Sequence, residues 1–347
     1  MGNSLVYAAV NTKIRAMEGD FLTAADYKNM LQKHSVPELA RYLKDNTHYA
    51  EFLKDVDVEK ISRRELEEIF RRRIISDLDR LIYYFKRGYK DFVRSLYLKY
   101  EIADIKHLAR LIFNGSKPQD FSQSLTFIGK YSRLQPEKLF AAASIRDLIT
   151  SMEGSEFYPF VKPLLDGRRE NLFRFEMVLD MGYFSMINQM REKVSGTDYK
   201  ILQFWEGTVA DLYNIQWIYR GKKFYRLLPE ELLNYTLEFG EELSFTKRKA
   251  LCYAANLEEF YELVQSTGYQ FLFKKNQTQD IYMERRINRY IYHLLKALNR
   301  KYPMTIIQTI CYVWFLEYEI KDIFAICESI RYRITPEEAR RFLVRAF

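Results

Sequence analysis

An all-α fold follows from three features of the chain: scarce turn residues, abundant apolar and aromatic side chains, and apolar positions spaced three and four apart behind helix-capping residues. Only 13 Gly and 8 Pro are spread over 347 residues, too few for the frequent turns of a sandwich or barrel. Hydrophobic residues make up 48% and aromatic residues 16% of the chain, with 27 Tyr and 25 Phe, enough apolar surface to fill a core. The length is compatible with two or three ordinary domains or with one larger body built from repeats.

One helical pattern recurs. In "LEYEIKDIFAICESIRYRITPEE", Asp322 is followed by Ile323, Ile326 and Ile330, then by Arg331 and "TPEE" from Thr335. Upstream, Asp211 is followed by Leu212, Ile215 and Ile218, then by Arg220 and "PEE" from Pro229. Asp104 is followed by Ile105, Leu108, Leu111 and Ile112, with Pro118 at the same offset that Pro336 holds from Asp322. Helical periodicity alone is common, so a second marker is required. It is present: "SVPELARYLKDNTHYAEFL" from Ser35, "SIRDLITSMEGSEFYPFV" from Ser144 and "NLEEFYELVQSTGYQFLF" from Asn256 each open on a capping residue. Each carries an acid three positions on (Glu38, Asp147 and Glu259), a spacing that satisfies the first free backbone amides reciprocally, and each reaches a tyrosine at Tyr49, Tyr158 or Tyr269.

Within a unit the order is a short capped helix, a long amphipathic helix and the Asp-bearing helix. The long helix is clearest in the first copy, where Ser62 and Glu65 form a capping box and Leu66, Ile69, Phe70, Ile74, Leu78, Leu81, Ile82 and Phe85 keep the helical spacing until Gly88. The expectation is three similar helical domains, residues 1–126, 127–236 and 237–347. A period of about 110 residues far exceeds that of known solenoids, which favours a closed funnel with pseudo-threefold symmetry over an open array.

Composition narrows the chemistry. The net charge of +8 is spread along the chain, and its densest run, Arg71-Arg72-Arg73, is flanked by acids, as on a solvated helix face. No nucleic-acid-reading motif accompanies it. Cys252, Cys311 and Cys327 form no CxxC pair and read as small apolar side chains in a reducing compartment. The amino terminus lacks a signal-peptide pattern, and the longest uncharged run, Tyr302 to Leu316, falls short of the roughly 20 apolar residues that span a bilayer. A soluble protein is expected. There is no GxxxxGK[ST], GxGxxG, HExxH or GxSxG, and His34, His48, His107 and His293 are scattered. No catalytic residue, cofactor or metal is assigned; acids at Asp55 and in "SDLDR" from Ser76 are poorly spaced for Mg²⁺.

The recurring acids Glu101 with Asp104, and Glu319 with Asp322, lie three apart and share a helical face. They either pair with Lys or Arg inside the fold or offer salt bridges to a partner. In this alignment Thr208 holds the first acid's place in the middle copy. The candidates for partner contact are Glu101, Asp104, Asp211, Arg220, Glu319, Asp322 and Arg331.

The opening "YAAVNTKIRAMEGDFLTAADY", the "SVPELARYLKDNTHY" unit and the three Asp-bearing helices, in this order and spacing over nearly the full chain, resemble the C subunit of the prokaryotic V-type (archaeal A-type) ATPase, the relative of the eukaryotic d subunit. The resemblance implies a non-catalytic funnel, one copy per complex, peripheral on the cytoplasmic face of the membrane. It implies contacts with the D and F subunits of the central stalk and with the membrane proteolipid ring, torque transmission in either direction, and no nucleotide or nucleic acid bound. Two rival readings stand beside it: a helical-repeat scaffold with a basic surface for nucleic acid or protein, and an all-α Mg²⁺-dependent enzyme.

Overall fold

The computed structural model describes residues 2–116, 128–167, 171–273 and 280–345; Pro118 and the proposed boundary at residues 126 and 127 lie outside them. Every regular element there is helical. In chain order these are α1 (Gly2–Glu18), α2 (Ala24–Met30), α3 (Val36–Asn46), α4 (Ala50–Leu53), α5 (Arg63–Ile82), α6 (Arg87–Ser95), α7 (Leu98–Phe113), α8 (Pro136–Phe140) and α9 (Ile145–Ser151). There follow α10 (Tyr158–Val161), α11 (Leu172–Arg191), α12 (Gly196–Arg220), α13 (Pro229–Asn234), α14 (Phe245–Tyr253), α15 (Leu257–Gln265), α16 (Asp280–Lys301), α17 (Ile307–Arg331) and α18 (Pro336–Phe342).

Packing divides the chain into two compact units. Unit 1 joins the chain's two ends, Met1–Phe85 and Leu272–Phe347, and unit 2 is Lys86–Phe271. In unit 1, α17 packs against α1, α3, α5, α16 and α18. Buried residues occur on every side of this helix, from Ile310 and Val313 to Ile320, Ile323 and Ile326, so it forms the centre of the unit and not an amphipathic wall. In unit 2, α11 packs on α6, α7, α10 and α12, while α12 also meets α14 and α15. Leu98, Ile105, Leu108, Leu148, Phe157, Phe175 and Leu179 share one of its apolar clusters.

Local chemistry sets the helix starts. Ser62 Oγ accepts from the Glu65 amide at 3.2 Å, and the Glu65 carboxylate accepts from the Ser62 amide at 2.8 Å, closing the expected box. The three capped helices share a variant of it. Ser35, Ser144 and Asn256 accept from the amides of Glu38, Asp147 and Glu259. These three acids reach back to the amides of His34, Ala143 and Ala255, one residue before the cap. The long first helix ends at Ile82, earlier than the spacing suggested: after a break, Arg87 with φ 51° opens the separate α6.

The ends of the three Asp-bearing helices are also alike. Gly115 (φ 74°), Arg226 (φ 50°) and Arg333 (φ 53°) are left-handed, and each stands three residues before a proline in the sequence. After α7 and α17 the cap is a Schellman motif: Ser116 N–H donates to Leu111 C=O and Ile334 N–H to Ser329 C=O, both at 2.9 Å. After α12 the chain first runs through a π-helix, Gly221–Tyr225, before Arg226 turns it. A π-turn absorbs a one-residue insertion in an α-helix.

A left-handed conformation costs an L-residue roughly 1–2 kcal/mol, from which glycine's extra chain entropy must be subtracted. The exposed Arg333 side chain makes no hydrogen bond or ion pair among the described residues. Arg333→Gly should therefore stabilise the protein by up to about 1 kcal/mol, whereas Arg333→Val should destabilise it. Thermal unfolding of the two variants beside the parent reads both signs.

Candidate functional site

The recurring acids are inside. Glu101, Asp104, Asp211 and Glu319 have no measurable exposure and Asp322 has 1%. Of the seven contact candidates, Arg220 is half-buried and Arg331 exposed. A carboxylate taken out of water must regain its hydrogen bonds in the protein.

Glu319 does so completely. Its Oε1 accepts from Tyr49 Oη at 3.0 Å and its Oε2 from the Leu22 amide at 2.7 Å and Arg345 Nη1 at 2.7 Å. Arg73 Nη1 lies 3.6 Å from Oε1, with the guanidinium over the Tyr49 ring. One turn further, Asp322 accepts from the Val344 amide at 2.6 Å, the Arg345 amide at 3.0 Å and Tyr27 Oη at 3.4 Å. Asp77, on α5, accepts from Tyr312 Oη at 2.7 Å and stands 3.7 Å from Arg73 Nε. Three carboxylates and two guanidinia thus bind α2, α5, α17 and the segment after α18 together. Arg73 corrects the reading of the arginine run as a solvated face: Arg72 is exposed, but Arg73 is 2% exposed and paired.

Asp211, in unit 2, repeats the Glu319 arrangement. It accepts from the amides of Glu242 and Leu243 at 2.6 and 3.2 Å and from Tyr269 Oη at 2.9 Å. Leu22 and Leu243 each immediately precede a capping residue, Thr23 and Ser244. Tyr49 and Tyr269 each follow a threonine, Thr47 or Thr267, whose Oγ1 accepts the tyrosine amide. By its donors, then, Asp211 resembles Glu319 and not Asp322, three residues from the match expected in the sequence. "EIAD", "DLYN" and "EIKD" now align, and Asn214 takes the place of Asp104 and Asp322. Asn214 is fully buried, exchanging bonds with both backbone groups of Leu237 at 2.9 and 2.7 Å. In this register Thr208 no longer holds an acid's place, and the spacing from acid to left-handed cap differs by the single residue that the π-helix absorbs.

The middle tyrosine moves as well. Phe157, not Tyr158, caps α10 as Tyr49 caps α4, and it is 1% exposed. It has no hydroxyl, and Glu101 accepts from the Tyr131 amide at 3.1 Å. A further buried pair, Arg191 with Glu206 at 2.9 Å, links α11 to α12. The cysteines are free and buried, and burial pushes the Cys252 and Cys327 thiols up to about 12, as befits small apolar side chains. Among the described residues, no three His, Cys, Asp or Glu side chains gather to hold a metal ion, and no helix is long and apolar enough to cross a membrane.

Arg345, Arg73, Tyr27 and Asn214 escaped the sequence reading. Only the last left a signal, in the "DLYN" match.

A set of buried ionisable groups ties segments of each helical unit to one another. Comparison with known proteins gives the class: the chain belongs to the ATP synthase (C/AC39) subunit family, whose model matches residues 10–342. It is 25% identical to the C subunit of the A-type ATP synthase of Methanocaldococcus jannaschii, over 97% of this chain and 86% of that one. It is 26% identical to the corresponding A-type ATP synthase subunit of Methanosarcina mazei over 88% and 84% of the two chains. With that of Methanococcoides burtonii it shares 22% over 99% and 95%. The chain is accordingly a V/A-type ATPase subunit of the C/AC39 family.

Two outcomes follow. A Cβ on Gly240 would stand far inside contact distance of Asp211 Oδ1, so Gly240→Ala should destabilise unit 2 by about 1–3 kcal/mol in chemical denaturation. The second concerns pH. Burial pushes Asp322 up to about 7, against the pull of the Val344 and Arg345 amides, and Glu206 up to about 8, against Arg191. A carboxyl whose folded pKa exceeds its unfolded value of about 4 holds its proton more tightly in the native state, so its contribution falls as pH rises from the lower to the higher value. The melting temperature should decline between pH of about 4 and about 8, and less steeply in Asp322→Asn and Glu206→Gln.

Proposed function

We propose that this chain is the non-catalytic socket of a rotary ATPase, joining the central stalk, with its D and F subunits, to the membrane proteolipid ring and passing torque between them. Family membership over residues 10–342 supports the reading. The observation that carries it is the Glu319 clasp, which binds the two ends of the chain into one unit through Leu22, Tyr49, Arg73 and Arg345. A part that transmits torque must not yield internally, and hydrogen-bonded ion pairs between close-packed helices resist shear.

The proposed architecture is a threefold funnel of residues 1–126, 127–236 and 237–347 in the corrected register. The donors to Asp211 come from the third segment and most donors to Glu319 from the first. If each segment clasps the acid of the one before it, the first must clasp the last, and the series closes. Packing units then straddle the sequence segments, as unit 1 does.

The buried acids serve this reading from within. Contact with neighbours falls to the helix ends, where Phe113, Phe224, Tyr225, Leu228 and Tyr332 are exposed large side chains beside the left-handed caps, with Arg220 and Arg331 next to them. Aromatic rings flanked by arginine suit protein interfaces. The socket sits on the cytoplasmic side, held to the membrane through the ring, one copy to a complex.

Affinity purification of the tagged chain from gently solubilised membranes, followed by mass spectrometry, should recover stalk and proteolipid subunits in stoichiometric amounts. A double Phe224→Ser, Leu228→Ser variant that stays folded should lose at least one of them. Recovery of the chain alone from membranes holding an intact ATPase would reject the reading.

A further inference from the structure

Unit 2 contains a cavity of about 440 Å³ that the clasps do not use. Its wall includes Met181, Ser185 and Asn188 from α11, the segment from Leu233 to Phe239, and Phe245 and Arg248 from α14. The volume falls within the range of small-molecule sites.

Arg248 is the reason to regard it as built. The residue is 4% exposed, yet no carboxylate lies within ion-pair distance of it among the described residues. Nη1 donates to the carbonyls of Glu238 and Leu243, both at 3.1 Å. Among the described residues Nε–H is buried without an acceptor, and Nη2 makes no hydrogen bond. Leaving a guanidinium out of water with part of its donor fork unused is costly, and elsewhere in this protein the buried arginines Arg73 and Arg191 each face a carboxylate. The same wall carries further unspent donors: the Asn188 side-chain amide and the Ser185 hydroxyl, one turn apart on α11, make no hydrogen bond among the described residues.

The rest of the lining narrows the class. Met181, Leu237 and Phe239 offer apolar and aromatic surface, while Glu238 is an exposed carboxylate at the wall. Glu238 repels any anion, a multiply charged phosphate about twice as strongly as a singly charged group, whose apolar body can also pack on this wall. We propose that this cavity binds a small organic monocarboxylate, its carboxylate on Arg248 Nη2 with Ser185 and the Asn188 amide as further donors, and its body against Met181, Leu237 and Phe239. A hydrogen bond from a guanidinium to a carboxylate is charge-assisted and stronger than one between neutral groups.

Benzoate is a fitting probe, with benzamide as its neutral isostere and inorganic phosphate as the multiply charged control. In calorimetric titration of the full chain, benzoate should bind saturably and raise the melting temperature, with benzamide and phosphate at least tenfold weaker. Arg248→Gln should weaken benzoate at least tenfold. Because Arg248 also holds the carbonyls of the loop beside Asp211, Asn188→Leu is the companion variant: it leaves those bonds intact and should weaken benzoate several-fold. No saturable benzoate binding to the folded parent, equal binding of benzamide or phosphate, or unchanged affinity in both variants would overturn the assignment.

Discussion

A carboxylate without access to water has to find its hydrogen bonds inside the protein, and in this chain that requirement decides which segments lie against the long helices. Glu319 is satisfied only when the Leu22 amide, Tyr49, Arg73 and Arg345 converge on it, groups drawn from both ends of the chain. Asp211 Oδ2 gains its three donors only when the loop before α14 and Tyr269 close over it, which in turn requires that Gly240 carry no side chain. Apolar packing is non-directional and would tolerate several arrangements of these helices. The buried acids do not, because each wrong arrangement strands a charge.

The ion pairs are not the source of stability. Most of the favourable energy comes from the apolar surface buried along α17 and α12, and a buried ion pair roughly breaks even against its own desolvation. What the clasps add is selection of one arrangement and resistance to sliding. Tyrosine is well suited to closing them, since its ring packs on the apolar side of the helix while its hydroxyl reaches the carboxylate. Where the ring is Phe157, the hydroxyl is lost but the packing stays.

The end of α12 shows how a helix can carry one residue more between a buried acid and a left-handed cap than α7 and α17 do. One additional residue between the acid and the left-handed cap would rotate the whole helix end by about 100° if it were carried as α-helix. Absorbed as the π-helix Gly221–Tyr225, it leaves Arg226 in the same left-handed conformation as Gly115 and Arg333. The sequence alignment built on aspartates alone placed Asp211 three residues out of register, because Asp matches Asp more readily than it matches Glu. Hydrogen-bond donors, not residue identity, reveal the correspondence.

By itself the sequence determined the helical class and the capped starts at Ser35, Ser62, Ser144 and Asn256, because capping and apolar periodicity act within a few residues of one another. It also carried the family, through order and spacing along the chain. Only the tertiary structure decided which way the acids point, that Arg73 enters the core beside an exposed Arg72, that Asn214 is buried on the Leu237 backbone, and that Arg345 returns to Glu319. Those outcomes depend on groups from about twenty to nearly three hundred residues apart meeting in a medium where an unpaired charge is costly, and local pattern carries no information about which partner a buried charge will meet.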